Sequence, residues 1–232
     1  LGGPGRRPES LLSRDYASLL LADTKDTLTA PLRWDRQDLL LAGGLGALVV
    51  GSAAFDGQIR QESQENRTKE LDTITQQVQR FGAAYSFVVL GSFEVYGRFA
   101  HDENARATAM DGITSSIIAA GIITPVLKYS VGRVRPRQAA GTFEFKPFGG
   151  SESFPSGHTT QAFAVASVIA EHYPNWPARI LAYGLAGMVG YSRIEQNAHF
   201  ASDVVAGAAI GTVVGLHVVK LHDRPKDPAG RI

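Results

Sequence analysis

Apolar residues recur along this chain in helix-length blocks that short polar or proline-containing segments separate. In the second block, Leu71, Ile74, Val78 and Phe81 follow one another at steps of three and four residues, the spacing of one face of an amphipathic helix. The alternation of apolar and polar residues that is typical of strands is scarce. The pattern therefore predicts an all-α helical bundle built from the blocks 37–56, 65–81, 82–100, 104–130, 159–173, 178–194 and 200–221.

The polar segments divide the chain into three regions. Residues 1–35 are polar and interrupted by prolines, which predicts an extended N-terminal arm with one short helix near 14–23. Residues 36–222 hold the apolar blocks and form the predicted helical domain, in which dense small residues would let the later helices pack closely. Residues 223–232 are charged and broken by prolines, which predicts a loose tail.

The apolar blocks are short for membrane crossing. If charged residues, His, Asn and Gln are counted as interruptions, the longest uninterrupted run is Leu39 to Phe55, 17 residues, followed by Gly112 to Leu127, 16 residues. A spanning helix needs about 20 mostly apolar residues, and the mean hydropathy of the chain is −0.05. We therefore interpret the blocks as buried helices of a soluble domain, and we leave open that the run 39–55 enters a membrane.

Composition and charge exclude several classes of function. Lys and Arg total 23 against 22 for Asp and Glu, a net charge of +1, and no basic stripe runs along the chain, so we expect no nucleic-acid partner. Because the chain has no cysteine, it has no disulfide framework, thiolate metal site or cysteine nucleophile. Asp102, Glu103 and Asp111 lack the spacing of a carboxylate metal site, so we predict no metal and no cofactor.

Three polar clusters stand at the ends of apolar blocks. The first ends the block 104–130, the second directly precedes the block that begins near Thr159, and the third bridges the last two blocks. In order they are Lys128 with Arg135-Pro136 after six intervening residues, then Pro155-Ser156-Gly157-His158, then Ser192-Arg193 followed by His199 and Asp203.

The second cluster has the features of an anion site at the start of a helix. Ser156 occupies a favoured N-cap position, and Gly157 lets a ligand approach the backbone closely. The free N–H groups of a first helical turn and the positive end of the helix dipole favour an anion there. His158 lies in that same turn, beside the expected anion.

The third cluster pairs a nucleophile with an orienting base. His199 and Asp203 are four residues apart in a helical segment, so the carboxylate can hold one ring nitrogen and leave the other free to attack. Lys128, Arg135 and Arg193 supply three cations that suit the oxygens of a phosphoryl group. Together with the histidine of the second cluster, this set predicts metal-free phosphoryl transfer through a phosphohistidine.

The three clusters resemble the signature of the phosphatidic acid phosphatase type 2 superfamily, which includes class A acid phosphatases and vanadium haloperoxidases. All eleven fixed identities of that signature are present with the family's spacing. The resemblance implies that His199 is the nucleophile, that Asp203 holds its ring and that His158 is the general acid and base. It also implies a phosphate cradle within a catalytic domain at 36–222, made by Lys128, Arg135, Ser156, the backbone N–H of Gly157, and Arg193.

The resemblance further implies a phosphoric ester hydrolase that cleaves a phosphomonoester or pyrophosphate, with a lipid phosphate as the leading substrate. The expected partners are a phosphorylated lipid or small phosphate ester and a membrane surface. The expected location is the periplasmic cell envelope, reached by an export signal outside this chain. Three alternatives stay open: a broad-specificity soluble periplasmic acid phosphatase, a vanadium-dependent haloperoxidase and a catalytically inactive binding protein. The sequence predicts no oligomeric state.

Other charged and aromatic residues receive simpler interpretations. Arg133 and Arg137 flank Arg135 and are expected to be solvated, with a contact to substrate as the alternative. The loop 143–154 carries four phenylalanines, which either form an apolar entrance for a lipid chain or plug the loop onto the domain. The histidines outside the clusters are expected at the surface or at helix ends: His101, His172, His217 and His222.

Overall fold

The computed structural model describes residues 7–150 and 152–223, so the predicted tail lies outside the described residues except for Asp223. In the described residues ten α-helices follow one another and no strand is present, which confirms the predicted all-α fold. The helices are α1 Arg14–Thr29, α2 Arg36–Ala53, α3 Asp56–Glu65, α4 Lys69–Val78, α5 Ala84–Ala100, α6 Glu103–Ser116, α7 Thr124–Val131, α8 Gly157–His172, α9 Trp176–Glu195 and α10 Ala201–His222.

The block predicted at 104–130 is one continuous helix, Glu103–Val131. A π-helical segment, Ile117–Ile123, joins α6 to α7 within it. Gly132 ends the helix in the left-handed conformation, with φ at 61°. A Cβ at this position would lie 2.0 Å from the carbonyl oxygen of Lys146, so glycine is required where the first cluster leaves the helix.

The block predicted at 37–56 corresponds to α2, which ends three residues earlier, at Ala53. The polar residues after it, for which no helix was predicted, form α3, and α3 meets α2 at 54°. Neither glycine nor proline stands at the break, residues 54–55. Asp56, the first residue of α3, is fully buried, so tertiary contacts rather than local sequence place the bend.

Helix α8 lies at the centre of the fold, against α6, α9 and α10. Helix α10 runs parallel to α8 and approaches its backbone through glycines at every fourth position, so the predicted close packing is found here. Gly184 of α9, in another segment rich in small residues, faces open space instead. A Cβ would lie 2.6 Å from the Ser156 carbonyl oxygen if built on Gly207, 2.4 Å from that of Thr160 on Gly211, and 2.8 Å from that of Ala164 on Gly215.

A buried polar network ties the N-terminal segment to the bundle end that lies away from the three clusters. Asp111 of α6 accepts two hydrogen bonds from Arg7, at 2.9 and 2.7 Å, one from His172 at 2.8 Å and one from His222 at 2.7 Å. The other ring nitrogen of His222 lies 2.7 Å from a carboxylate oxygen of Asp23 in α1. The two histidines are at helix ends, as predicted, but their side chains are shielded from solvent within this network. The N-terminal region is accordingly docked through α1, a helix of 16 residues that is longer than the segment predicted near 14–23.

Apolar side chains cover the outside of α2, α5 and α9. No residue of α2 is buried, so the interpretation of this block as a buried helix of a soluble domain is wrong. By length and composition, Glu103–Val131 and Ala201–His222 could cross a membrane, and α2 with α3 would add a third span if the bent pair is counted as one. These surfaces support membrane association. Exposed examples are Leu40 at 66%, Val50 at 74%, Phe99 at 85% and Leu181 at 74%.

Gly211→Ala should weaken the contact between α8 and α10, because the added methyl group would lie 2.4 Å from the carbonyl oxygen of Thr160. We expect the free energy of unfolding to fall by about 1–3 kcal/mol, measured as a lower midpoint of thermal unfolding in detergent. Gly184→Ala is the matched control. Its methyl group meets nothing within 4 Å, and alanine favours a helix over glycine by about 1 kcal/mol. Equal destabilisation by the two changes would contradict the packing argument.

Candidate active site

The eight residues predicted for the site lie at one end of the bundle, where four helices end. Because α8 and α10 run parallel, their positive ends meet there, and the backbone N–H of Ser156 donates to the carbonyl of Asp203 at 2.9 Å. Lys128 is in the last turn of α7, Arg135 in the segment after it, Gly157 and His158 in the first turn of α8, Arg193 in the last turn of α9, His199 just before α10 and Asp203 in its first turn.

Ser156 is the N-cap of α8, as predicted, but its side chain caps no backbone N–H group. Its Oγ accepts a hydrogen bond from Thr159 Oγ1 at 2.9 Å instead. The N–H groups of the first turn, including that of Gly157, have no intrahelical partner and can bind an anion. A Cβ on Gly157 would point into the site, 3.8 Å from Lys128 Cε.

His199 and Asp203 face each other in a buried position. The ring is 3% exposed, and its Nδ1 lies 3.6 Å from Asp203 Oδ2, slightly beyond hydrogen-bond distance. Within the described residues Nδ1 has no hydrogen-bond partner. The carboxylate is fixed, because Oδ2 accepts from Ser153 Oγ at 2.6 Å and from the Phe200 N–H at 2.9 Å. Asp203 therefore faces Nδ1 and leaves Nε2 as the nitrogen that is available for chemistry.

The chain between Arg193 and His199, in the third cluster, forms a closed turn. Asn197 adopts the left-handed conformation with φ at 53°. The N–H groups of Ala198 and His199 both donate to the carbonyl of Arg193, at 3.0 and 3.2 Å. Arg60 of α3 donates to the Asn197 side chain at 3.0 Å. The five intervening residues thus bring His199 back to the end of the helix that carries Arg193.

Neighbouring groups hold two of the predicted cations in place. Lys128 Nζ donates to the backbone carbonyl of Glu152. Arg193 Nη1 donates to the side-chain oxygens of Gln79 and Gln196, the latter at 2.9 Å. In residues 7–150 and 152–223, no group of three or more His, Asp or Glu side chains is placed to hold a metal ion.

Burial and positive charge control the ionisation of both histidines. Burial, followed by the charges of the three predicted cations and of His199, lowers the pKa of His158 to about 4. Burial also lowers the pKa of His199 to about 4, although Asp203 opposes this shift. Burial and repulsion from neighbouring arginines lower the pKa of Arg193 to about 10. These mutual effects indicate that the groups share one cationic environment, which an anion would stabilise.

Arg133 is a site residue that the sequence interpretation missed. It is 2% exposed, so the expectation that it is solvated is wrong. Its Nη1 donates to Asp203 Oδ1 at 2.7 Å. Arg137, for which solvation was also expected, is exposed. The arginines at 133, 135 and 137 alternate along the segment, and no sequence signal marks which of them turns inward.

The phenylalanines of the loop 143–154 have different roles. The loop folds back through backbone hydrogen bonds to the segment after α7. Phe143 is 67% exposed, and Phe148 is 65% exposed although one edge of its ring packs against Tyr129 of α7, with 5.3 Å between the ring centroids. The ring centroid of Phe145 lies 5.7 Å from the Arg133 guanidinium. Phe145 and Phe148 thus hold the loop against the domain, while the exposed surfaces of Phe143 and Phe148 fit the apolar entrance.

The sequence is similar to that of known phosphatases. A profile of the PAP2 superfamily matches residues 112–227, half of the chain, and these residues contain all three clusters. The lipid A 1-phosphatase of Rhizobium etli is 28% identical over 197 residues, which cover 78% of this chain and 82% of that protein.

Two crystal structures share the fold. LpxE from Aquifex aeolicus has a TM-score of 0.55 and 24% identity, over 70% of this chain and 93% of that chain. The first transmembrane PAP2 type phosphatidylglycerolphosphate phosphatase from Bacillus subtilis has a TM-score of 0.55 and 23% identity, over 76% of this chain and 93% of that chain. The predicted helical bundle and the predicted phosphoric ester hydrolase are confirmed. The chain therefore belongs to the PAP2 superfamily.

Proposed function

We propose that this protein is a lipid phosphate phosphatase of the cell envelope, active at the periplasmic face, and that it works without a metal through a phosphohistidine on His199. The observation that carries the proposal is the convergence of the buried His199, the half-buried His158 and three cations at the parallel positive ends of α8 and α10. The exposed apolar faces of α2, α5 and α9 support a lipid substrate, as does the similarity to a lipid A 1-phosphatase.

In the first step, Nε2 of His199 attacks phosphorus and a P–N bond forms. Asp203 stabilises the positive ring through the proton on Nδ1. The P–O bond to the leaving group breaks, and protonated His158 gives its proton to the departing oxygen. The three cations and the first N–H groups of α8 stabilise the charge that develops on the phosphoryl oxygens. The products of this step are a lipid alcohol and a phosphohistidine.

In the second step, water replaces the lipid. The neutral ring of His158 takes a proton from the water molecule, whose oxygen then attacks phosphorus. The P–N bond breaks, which releases inorganic phosphate and restores His199. His158 is then protonated, and it loses this proton to solvent when phosphate leaves, because its pKa in the free protein is about 4. Binding of the next phosphate anion restores the proton for the leaving group.

The alternatives differ in what occupies the anion site and in what surrounds it. A soluble acid phosphatase would not need the apolar outer surface of α2, none of whose residues is buried. A vanadium-dependent haloperoxidase would bind vanadate at His199, and an inactive binding protein would bind an anion without turnover. Detection of a covalent phosphoenzyme therefore separates the proposed phosphatase from both of these proteins.

His199→Gln should abolish the covalent intermediate, because it removes the attacking nitrogen. The wild-type protein, mixed with radiolabelled lipid phosphate in EDTA and quenched in alkaline detergent, should retain label, whereas the variant should retain none. We expect kcat to fall by about 10³-fold or more. His217→Gln is the matched control, since His217 pairs with Asp26 instead of a site residue. Label on His199→Gln, or a requirement for added magnesium, would contradict the proposal.

Binding of inorganic phosphate should draw a proton into the site. The pKa of His158 is about 4 in the free protein, so its ring is neutral at pH 6. A bound anion raises this pKa, and between the two values the complex holds more protons than the free protein. Isothermal titration at pH 6, in two buffers of different ionisation enthalpy, should report uptake of up to about one proton. His158→Gln should reduce the number of protons taken up. Equal heats of phosphate binding in the two buffers for the wild-type protein would refute the predicted proton uptake.

Phe143→Ser combined with Phe148→Ser should impair a lipid substrate selectively, because both rings are exposed on the loop beside the site. The KM for a long-chain lipid phosphate in mixed micelles should rise by about tenfold, the effect of losing about 1.4 kcal/mol of apolar contact. The kcat/KM for a small aryl phosphate should not change. Equal losses on the two substrates would indicate that the rings stabilise the loop.

A further inference from the structure

One buried arginine connects two carboxylates at the start of α10. From Nη1, Arg133 donates to Asp203 Oδ1 and Ser202 Oγ, both at 2.7 Å. From Nη2 it donates to Asp56 Oδ2 at 2.8 Å and to the carbonyl of Thr142 at 2.6 Å. Each terminal nitrogen therefore binds one carboxylate and one neutral oxygen.

The surroundings of Arg133 fix the plane of its guanidinium. The central carbon lies 4.1 Å from the centroid of the Phe200 ring and 5.7 Å from that of Phe145. Guanidinium groups stack favourably on aromatic faces, and their planar donors fit few arrangements of acceptors. Since the side chain is almost completely shielded from solvent, it influences a substrate through the groups that it binds.

Asp56 is the second carboxylate that Arg133 binds, through the other terminal nitrogen of the guanidinium. It is fully buried at the start of α3, and its Oδ1 accepts from the backbone N–H of Ser202 at 2.9 Å. Its Oδ2 accepts from the Ser202 hydroxyl at 2.6 Å. The bend between α2 and α3 places Asp56 here. The start of α10 is therefore held by two carboxylates: Asp56 binds Ser202, and Asp203 binds the N–H of Phe200.

The positive charge of Arg133 offsets the repulsion between the negative charges of Asp203 and Asp56. Without it, two buried like charges would face each other and each would lose a hydrogen-bond donor. The planar guanidinium binds both carboxylates at once, one through each terminal nitrogen. Lys128 and Arg135 also act on Asp203 electrostatically, but among the described residues the ionisable side chains that pair with it within 4 Å are Arg133 and His199.

We propose that Arg133, anchored by Asp56, is a positioning residue that keeps Asp203 ionised and directed at Nδ1 of His199 during the nucleophilic step. The inference rests on the proposed function, in which His199 is the nucleophile. The proton stays on Nδ1 throughout, and no bond to Arg133 forms or breaks. Arg133 and Asp56 thus extend the histidine–aspartate pair by two residues that are not among the fixed identities of the signature.

Arg133→Gln tests the proposal by separating kcat from binding. We expect kcat on a lipid phosphate, and the rate of label incorporation at His199, to fall by about 10²-fold, the effect of a small misplacement of a reacting group. The KM and the inhibition constant of inorganic phosphate should stay within about threefold, because the cradle cations are unchanged. Arg98→Gln is the control, since Arg98 is exposed on α5 and pairs with Glu94; it should change none of these values.

The double variant Arg133→Gln/Asp56→Asn separates positioning from stability. Removal of the Asp56 charge relieves the repulsion between the carboxylates, so the unfolding temperature should recover towards that of the wild type while kcat stays low. Recovery of kcat together with stability would overturn the proposal. So would label incorporation by Arg133→Gln at the wild-type rate.

Asp56→Asn alone keeps Arg133 on Asp203 and gives a result even if Arg133→Gln does not fold. It should lower kcat by about two- to tenfold without raising KM, and a raised KM with unchanged kcat would overturn the proposal. If the proposed function is wrong, the experiment gives a different result, because the wild-type protein itself would then incorporate no label at His199. If the wild type does form it, the variants test the role of Arg133 and Asp56 separately.

Discussion

The close parallel contact between α8 and α10 is the constraint on which the site depends. Glycines at every fourth position of α10 let it touch the backbone of α8, and the Ser156–Asp203 hydrogen bond joins the start of α8 to the first turn of α10. His158, in the first turn of α8, and His199, just before α10, are consequently held at the same end of the bundle, beside two positive helix ends. A wider separation of these helices would part the two imidazoles even if every residue of the signature were retained.

Charge is arranged differently on the two sides of His199. Towards the substrate, cations outnumber anionic partners, and burial together with these positive charges keeps the histidines in the neutral form. On the side away from the substrate, the positive charge of Arg133 partly neutralises the negative charges of Asp203 and Asp56. An arriving phosphate therefore supplies negative charge where the protein lacks it, while the carboxylate behind His199 is already paired and does not compete for the cradle.

The sequence predicted most of the helices and the composition of the site, because helix ends and signature spacing are local properties. The bounds of α5, of the continuous helix Glu103–Val131 and of α8, α9 and α10 were predicted within two residues, since glycines, prolines and polar clusters mark their ends. The helix α3 was missed because its sequence is polar, and its place in the fold depends on the buried contacts of Asp56 with α10. Arg133 was missed because its burial depends on α3, a distant segment. Membrane association was underestimated because polar residues that face the interior, such as Asp203, interrupt the apolar runs.

The π-helical segment Ile117–Ile123 determines which way Lys128 points. Three residues of this helix contact α8: Ser116 binds Gln161, Thr124 binds Thr160, and Lys128 lies beside Gly157. With a regular turn of about 100° per residue, Thr124 and Lys128 would be rotated by roughly 80° and 120° from Ser116. One additional residue accommodated in the wider turn reduces both offsets to about 20°. Shortening this segment by a single residue would consequently turn the lysine away from the first turn of α8, where the proposed phosphate cradle lies, without changing any residue of the signature.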